Sequence, residues 1–354
     1  MSEGTTTTDT AESTTTTTTT TISSNNSTID KIHQTQAQWD AIEQEIKDTQ
    51  PLTSAVRPLE DLRQQYQTGD GVSNKWYDLG VQVLMKTYLS IRMVRGDGNC
   101  YYRAFLYSMC EQLMNHPIEL ERITKLSTYL LLGFKIKRGW TVLHSIPASS
   151  RWGWTIDAGS YVTFSNVVFF LLPYPTLSCF HRLVKDSNQQ VISIGGYEEM
   201  AIEIFYDTLV ELLERLNPTP TTTNRITSVD ALQEELTQES STSDYCTWYL
   251  RVLTATFLKS DPSRFLPYLE DGYDDIATYC ATQIEPMGKE CTMVQVLALA
   301  EYLQIPTKIE YLDGHEFANH QLTHHWFGPP FDGTSIQVNL LYRPGHYDIL
   351  YRKD

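Results

Sequence analysis

Residues 95–105 read Arg-Gly-Asp-Gly-Asn-Cys-Tyr-Tyr-Arg-Ala-Phe and place one cysteine, Cys100, between a glycine-rich loop and a helix-like run. Gly96 and Gly98 allow positive φ angles and close backbone approach. The run from Cys100 to Met114 predicts a helix, and the free N–H groups at its start favour a thiolate and could hold an oxyanion. The alternative is an inert core cysteine, because free cysteines are commonly buried.

Residues 342–351 read Tyr-Arg-Pro-Gly-His-Tyr-Asp-Ile-Leu-Tyr and offer the base that a thiol nucleophile requires. A Pro-Gly turn precedes an aromatic and aliphatic run, which predicts a strand. Residues two apart in a strand share a face, so His346 and Asp348 project together. An imidazole beside a carboxylate is the base and the orienting group of a catalytic triad. Taken alone, the pair also fits a solvated edge strand.

These two stretches resemble the catalytic blocks of the otubains, cysteine proteases of the ovarian-tumour (OTU) superfamily that cleave ubiquitin from conjugates. Two further blocks are similar to that family, namely residues 241–245 with 249–251, and residues 285–287. The four blocks occur in the family's order. The resemblance implies an α+β, papain-like OTU fold, in which a helical lobe carrying the cysteine faces a small β-sheet formed late in the sequence.

The resemblance also implies a function and its catalytic residues. A thiol protease of this family is a deubiquitinase, which hydrolyses the isopeptide bond between ubiquitin's C-terminal glycine and a lysine amine. Cys100 is then the nucleophile, His346 the base and Asp348 the group that orients the imidazole. The family's loop aspartate shapes the oxyanion-binding backbone, and this role passes to Asp97.

Gly98 and Asn99 complete the oxyanion-binding loop that the resemblance implies. The alternative for Asp97 is an ordinary turn aspartate that bonds its own backbone, which is also a physical way to shape such a loop. Expected partners are ubiquitin and ubiquitin chains, with ubiquitin-conjugating enzymes as further candidates. Two other functions remain open: a catalytically impaired protein that binds ubiquitin or a conjugating enzyme, and a cysteine hydrolase or transferase acting on another amide.

The amino-acid composition argues against several kinds of partner and cofactor. The chain has 354 residues, 41% of them hydrophobic, and a net charge of −16, which argues against nucleic acid or an anionic membrane as a partner. Its 6 cysteines contain no Cys-x-x-Cys pair, so neither a zinc site nor another cofactor is expected. The first residues lack the basic and apolar regions of a signal peptide. We therefore expect reduced thiols and a cytoplasmic protein, with the nucleus as a second compartment.

The predicted domains are a disordered Thr/Ser-rich tail over 1–28, an N-terminal helical arm over 29–66 and an OTU catalytic domain over 67–354. An atypical apolar segment at about 127–183 interrupts the catalytic domain. Three interpretations fit it: a family-specific insertion, a retained intron in the gene model, or a membrane segment. Prolines and scattered polar groups count against the membrane interpretation.

The coarse element pattern places helices before strands. Trp76–Ser90 predicts a helix, whereas 305–312, 335–342 and 347–352 predict the strands of the late sheet. Four histidines precede the last two of these strands: His315, His320, His324 and His325. They could form a metal site or lie in a solvated loop. We favour the loop, because no spacing places several of them on one helix face.

Overall fold

The computed structural model describes residues 41–42, 44–67, 72–115, 161–164, 167–170, 187–216, 224–237, 242–269, 272–317, 321–331, 333 and 336–353. The chain divides into two compact units, Met1–Thr49 and Gln50–Asp354. In the first unit, residues 41–42 and 44–49 are helical. The predicted tail and residues 29–40 of the predicted arm lie outside the described residues.

The second unit mixes helices and strands along its length. Its described α-helices are α1 (Leu59–Gln67), α2 (Val72–Leu84), α3 (Cys100–Asn115), α4 (Glu199–Leu216), α5 (Val229–Thr237), α6 (Thr242–Ser260), α7 (Pro262–Phe265), α8 (Ile276–Tyr279) and α9 (Met293–Leu303). Its described strands are β1 (Thr53–Pro58), β2 (Tyr88–Val94), β3 (Tyr161–Phe164), β4 (Val167–Phe170), β5 (Thr307–Tyr311), β6 (His324–Phe327), β7 (Val338–Arg343) and β8 (His346–Arg352).

Six strands form one mixed sheet in the order β1-β2-β8-β7-β5-β6. The β5–β7 pair is parallel and the other neighbours are antiparallel. The predicted α+β fold is confirmed, but the sheet is not confined to the late sequence, because β1 and β2 form one side of it. Sequence reasoning missed β2 because its first three residues continue an apolar helical pattern. Pairing with β8 overrides that local preference.

The first two strands also change the predicted domain boundary. Strand β1 lies inside the range predicted as a helical arm, and it pairs with β2 from Thr53 to Pro58. The compact unit that holds the sheet begins at Gln50 rather than at residue 67. The arm prediction is therefore wrong for β1, which pairs with β2 at the edge of the sheet.

Helix α3 lies at the centre of the main core. Every side chain from Cys100 to Glu111 is buried, including the Arg103 side chain. A helix that is buried all round packs against neighbours on several sides, and α3 contacts β7, β8, α4, α5 and α6. Cys110 is fully buried, as predicted for a core position. This packing fixes the position of the helix start, where Cys100 lies.

The predicted insertion is described only in part. Strands β3 and β4 form an antiparallel hairpin within the range 127–183. The other residues of that range lie outside the described part of the chain. Among the described residues, we find no helix with the length and apolarity needed to cross a membrane.

Candidate active site

The cysteine predicted as nucleophile is the first residue of α3 and is only 2% exposed. The loop before it turns at Gly98, whose φ of 74° lies in the left-handed region that favours glycine. The N–H of Arg103 donates to the Asn99 carbonyl at 3.0 Å and continues the first helical turn. Cys100 therefore lies at the positive end of a rigid helix, as the sequence predicted.

A second loop packs directly on the nucleophile loop. A Cβ atom added to Gly98 would lie 2.1 Å from the carbonyl oxygen of Gly288, so the two backbones touch. The side-chain oxygen of Asn99 also accepts the N–H of Gly288 at 2.9 Å. Two features therefore require glycine at position 98: its positive φ angle and its close contact with the Gly288 carbonyl.

Arg251 on α6 forms hydrogen bonds with both of these loops. Its side chain is fully buried. Its Nη2 donates to the Gly98 carbonyl at 2.8 Å and to the Asn99 side-chain oxygen at 2.8 Å. The same nitrogen also donates to the Lys289 carbonyl at 2.7 Å, and Nη1 donates to the Ile284 carbonyl at 3.0 Å. One guanidinium therefore sets the distance between the loops.

Asp97 also shapes the nucleophile loop. Its Oδ1 accepts the N–H of Asn99 at 3.0 Å and Nη1 of Arg103 at 2.9 Å. Arg103 also donates to Asp244 at 3.1 Å. Burial opposes ionisation of Asp97, but Arg103 and the backbone hydrogen bond outweigh it and lower the pKa of this carboxyl. Asp97 therefore makes the predicted Asx-type turn and holds the loop.

The predicted base lies on the hairpin formed by β7 and β8. The Pro344-Gly345 turn joins the two strands, and Gly345 has a φ of 73°. His346 and Asp348 share one face of β8, as predicted, and His346 Nε2 lies 3.0 Å from Asp348 Oδ1. Tyr347, on the opposite face, is buried in the main core.

Asp348 is fully buried and has three partners. Its Oδ1 accepts the N–H of Val94 at 3.0 Å as well as the imidazole of His346. Its Oδ2 accepts Nη2 of Arg343 in a direct ion pair. Burial would raise the pKa of this carboxyl, but His346, Arg343 and Val94 lower it. Asp348 is therefore an ionised hydrogen-bond acceptor for the imidazole.

His346 lies between the carboxylate and the thiol. Burial of the ring disfavours its charged form, but the hydrogen bonds with Asp348 and Cys100 outweigh burial and raise the pKa of His346 to about 9. The ring also covers the loop: a Cβ atom added to Gly96 would lie 3.6 Å from His346 Nδ1. Nε2 faces the carboxylate, so Nδ1 is the nitrogen on the loop side.

The structure therefore brings together all six residues that the sequence singled out. Cys100, His346 and Asp348 form a thiol–imidazole–carboxylate series, which suits nucleophilic acyl transfer. The predicted loop residues differ in one respect. The N–H of Asn99 is used by Asp97, so Asn99 contributes its side chain to the loop and other loop N–H groups would meet an oxyanion.

Sequence reasoning missed the arginines that hold the site. Arg103 and Arg343 occur in the two quoted stretches, and Asp244 and Arg251 occur in a further otubain-like block. Their presence in those blocks was the available signal. The partners of Arg251 and the Asp244 partner of Arg103 lie far away in the chain, up to 153 residues for Arg251 and Gly98, so spacing did not reveal those contacts.

Other candidate groups lie apart from the series. Cys110, Cys246 and Cys280 are buried free thiols, and burial raises the pKa of each. His315 pairs with Asp313, and the two β6 histidines are exposed, whereas His320 lies outside the described residues. Within the described ranges, no group of three or more His, Cys, Asp or Glu side chains could hold a metal ion.

Comparison with known proteins identifies relatives over most of the chain. Ubiquitin thioesterase OTUB1 of Homo sapiens is 29% identical over 316 residues, covering 89% of each protein. Ubiquitin thioesterase OTUB2 of Homo sapiens is 26% identical, covering 80% of this chain and 91% of that protein. The solved complex of h/ceOTUB1 with ubiquitin aldehyde and UBC13~Ub shares the fold.

That structure has a TM-score of 0.65 and 24% identity, covering 91% of this chain and 98% of the other. A family model described as Peptidase C65 Otubain matches residues 45–133 and 162–352, which include residues 95–105 and 342–351. The two matched ranges leave out 134–161, inside the apolar segment that interrupts the otubain resemblance. The chain belongs to the peptidase C65 otubain family.

Proposed function

We propose that Cys100, His346 and Asp348 are the catalytic triad with which this cysteine-type deubiquitinase hydrolyses isopeptide bonds between ubiquitin's C-terminal glycine and lysine amines. The observation that carries the proposal is the hydrogen-bonded series from Asp348 through His346 to Cys100 at a helix start. The relatives' names, ubiquitin thioesterase OTUB1 and OTUB2, supply the substrate class.

The triad residues carry out the reaction in two stages. Cys100 gives its proton to His346, and the thiolate attacks the carbonyl carbon of ubiquitin's last glycine. The bond to the lysine nitrogen breaks as His346 passes its proton to the departing amine. Water, deprotonated by His346, then hydrolyses the thioester and restores the thiol. Asp348 remains ionised throughout and stabilises the imidazolium.

The Asp97–Cys100 loop supplies the oxyanion site in this mechanism. Its donors are loop N–H groups other than that of Asn99, which Asp97 already occupies. Asp97 acts by holding the loop, and the helix dipole adds a favourable field at Cys100. The contacts of Arg251 and Gly288 keep these N–H groups in place before substrate arrives.

The partners in this proposal are ubiquitin, ubiquitin chains and ubiquitin-conjugating enzymes. The similar solved structures are complexes of h/ceOTUB1 with ubiquitin aldehyde and with UBC13~Ub or UBCH5B~Ub. These complexes also favour binding of a conjugating enzyme as a second candidate function. The compartment we propose is the cytoplasm, with the nucleus as a second site, because the described cysteines are free thiols.

The test is intact-mass labelling with ubiquitin that carries a thiol-reactive electrophile at its C-terminus. The full chain should gain one ubiquitin adduct, and Cys100→Ala should gain none. Cys110→Ala is the matched control, because it removes a buried thiol away from the site and should still be labelled. Folded protein that gains no adduct would overturn the protease function and leave the binding function.

A further inference from the structure

The carboxylate of Asp348 is buried with two oxygens in different surroundings. Oδ1 accepts the N–H of Val94 and the imidazole of His346, each at 3.0 Å. Oδ2 faces the guanidinium of Arg343, which lies on the neighbouring strand β7. The catalytic interaction thus uses one oxygen, and Arg343 occupies the other.

From this arrangement, and on the basis of the proposed function, we infer that Arg343 is a positioning residue for catalysis. Its guanidinium keeps the Asp348 carboxylate ionised and fixes its rotation, so that Oδ1 points at His346. Without this partner, a fully buried oxygen would lose its hydrogen bond, and the carboxyl would rotate or take up a proton to recover one.

Arg343 is itself held in place from outside the hairpin. Its Nη1 donates to the Tyr66 hydroxyl on α1 at 3.4 Å. The Tyr66 ring stacks on Tyr77 of α2, with ring centroids 4.5 Å apart and an angle of 10° between the planes. The two early helices thus support the far end of the guanidinium, while Asp348 binds the near end.

Among the described residues, the charged and titratable groups around the pair come from several elements, and they include the Cys100 thiol beside His346 and the Glu290 carboxylate beside the turn at Gly345. His346 lies on the same strand as Asp348, Arg343 on β7, Tyr66 on α1 and Tyr77 on α2, and β2 contributes a main-chain N–H. Removal of the guanidinium leaves burial, His346 and the Val94 N–H to set the ionisation of Asp348. Because burial favours the protonated carboxyl, the pKa of Asp348 should rise.

A rise in the pKa of Asp348 predicts a specific change in the pH profile. A protonated Asp348 cannot stabilise the imidazolium, so the reactive thiolate–imidazolium pair is lost on the acid side. We expect Arg343→Met to lower kcat/KM at neutral pH by about 10- to 100-fold and to move the acid limb upward by about one pH unit. Arg343→Lys retains the charge and should leave the acid limb in place.

The experiment measures kcat/KM against pH for cleavage of a fluorogenic amide at the C-terminus of ubiquitin, with thermal unfolding in parallel. Arg264→Met is the matched control: it removes an exposed arginine that pairs with Glu301 and has no contact in the site described above, and it should change kcat/KM less than about twofold. A uniform loss at every pH in Arg343→Met, or equal shifts in Met and Lys variants, would overturn the inference.

Two further outcomes are distinguishable. If Arg343→Met does not fold, Arg343→Gln, which is neutral but can still donate, provides the same comparison with Arg343→Lys. An unshifted acid limb in Arg343→Gln would overturn the inference. A wild-type chain without activity on the ubiquitin amide would reject the proposed function instead, before any variant is compared.

Discussion

The histidine hairpin and the nucleophile loop reach the same site by different routes. In the hairpin, Arg343, His346 and Asp348 are neighbours across one two-residue turn. The nucleophile loop takes its supports from distant parts of the chain, with Arg251 and Gly288 lying 153 and 189 positions from their partners. Both halves contain an aspartate paired with an arginine that is close in sequence, but only the nucleophile loop also depends on the distant Arg251 and Gly288.

This difference has a physical cause. Adjacent strands bring diagonal side chains together as soon as their register is set, so the hairpin needs few long-range contacts. The nucleophile loop, in contrast, depends on hydrogen bonds from Arg251 of α6 and on contact with the segment around Gly288. These contacts form only when the core is complete. We therefore expect hairpin substitutions to affect chemistry and loop substitutions to affect geometry.

The largest expected effect is on the hairpin side. Asp348→Asn should lower kcat/KM by about 10³-fold or more, because an amide cannot stabilise the imidazolium and leaves Arg343 unpaired. Steady-state kinetics on a ubiquitin amide, with thermal unfolding as a check on folding, measures this. Asp207→Asn, at an exposed aspartate on α4, is the control. A loss below tenfold would show that the carboxylate is not needed for the base.

A glycine pair tests the nucleophile side. Gly98→Ala should slow adduct formation with the ubiquitin electrophile by about 100-fold, because the added Cβ meets the Gly288 carbonyl at 2.1 Å and displaces the loop. Gly196→Ala is a matched control, since Gly196 also has positive φ but has open space around it. Equal labelling rates in the two variants would contradict the role of the loop contact.

The pH profile above neutrality tests the coupling between the two halves. The pKa of His346 is raised to about 9, so its protonated form, which supplies a proton to the leaving amine, is lost as pH rises through that value. We expect kcat/KM to fall above about pH 9, by tenfold per further unit. In Asp348→Asn the limb should move to lower pH. An unchanged alkaline limb in that variant would show that Asp348 does not raise the pKa of His346.

The smallest expected effect concerns the outer support of the nucleophile loop. The Asp244 side chain is 46% exposed where it meets Arg103, so Asp244→Asn should cost at most about 1 kcal/mol of stability. Its kcat/KM should stay within about threefold, whereas Asp97→Asn, which weakens the bond to the Asn99 N–H, should lose more. Thermal unfolding and kinetics on both variants measure the ranking. A larger loss of kcat/KM in Asp244→Asn than in Asp97→Asn would contradict this ranking.

Local patterns predicted much of the candidate site. Cys100 at a helix start, and His346 with Asp348 on one strand face, follow from short-range periodicity, and the structure places all three together. Strands β5, β7 and β8 were also predicted, but the loop prediction was wrong for His324 and His325, which lie in β6 and pair with β5. Strand β2 was mistaken in part for helix, because sequence alone does not show which partner completes its hydrogen bonds.

The sequence by itself predicted the residues of the candidate triad and their order, because a loop-to-helix cysteine and an alternating His-x-Asp strand depend on spacings of only a few residues. Only the tertiary structure decided how those groups are held. Arg251, Gly288 and Arg343 act through contacts with buried backbone and carboxylate groups, and β1 and β2 complete the sheet behind them. The Arg343 contact spans one hairpin, but the contacts of Arg251 and Gly288 exist only when distant segments meet in the folded core, where unpaired polar groups are costly.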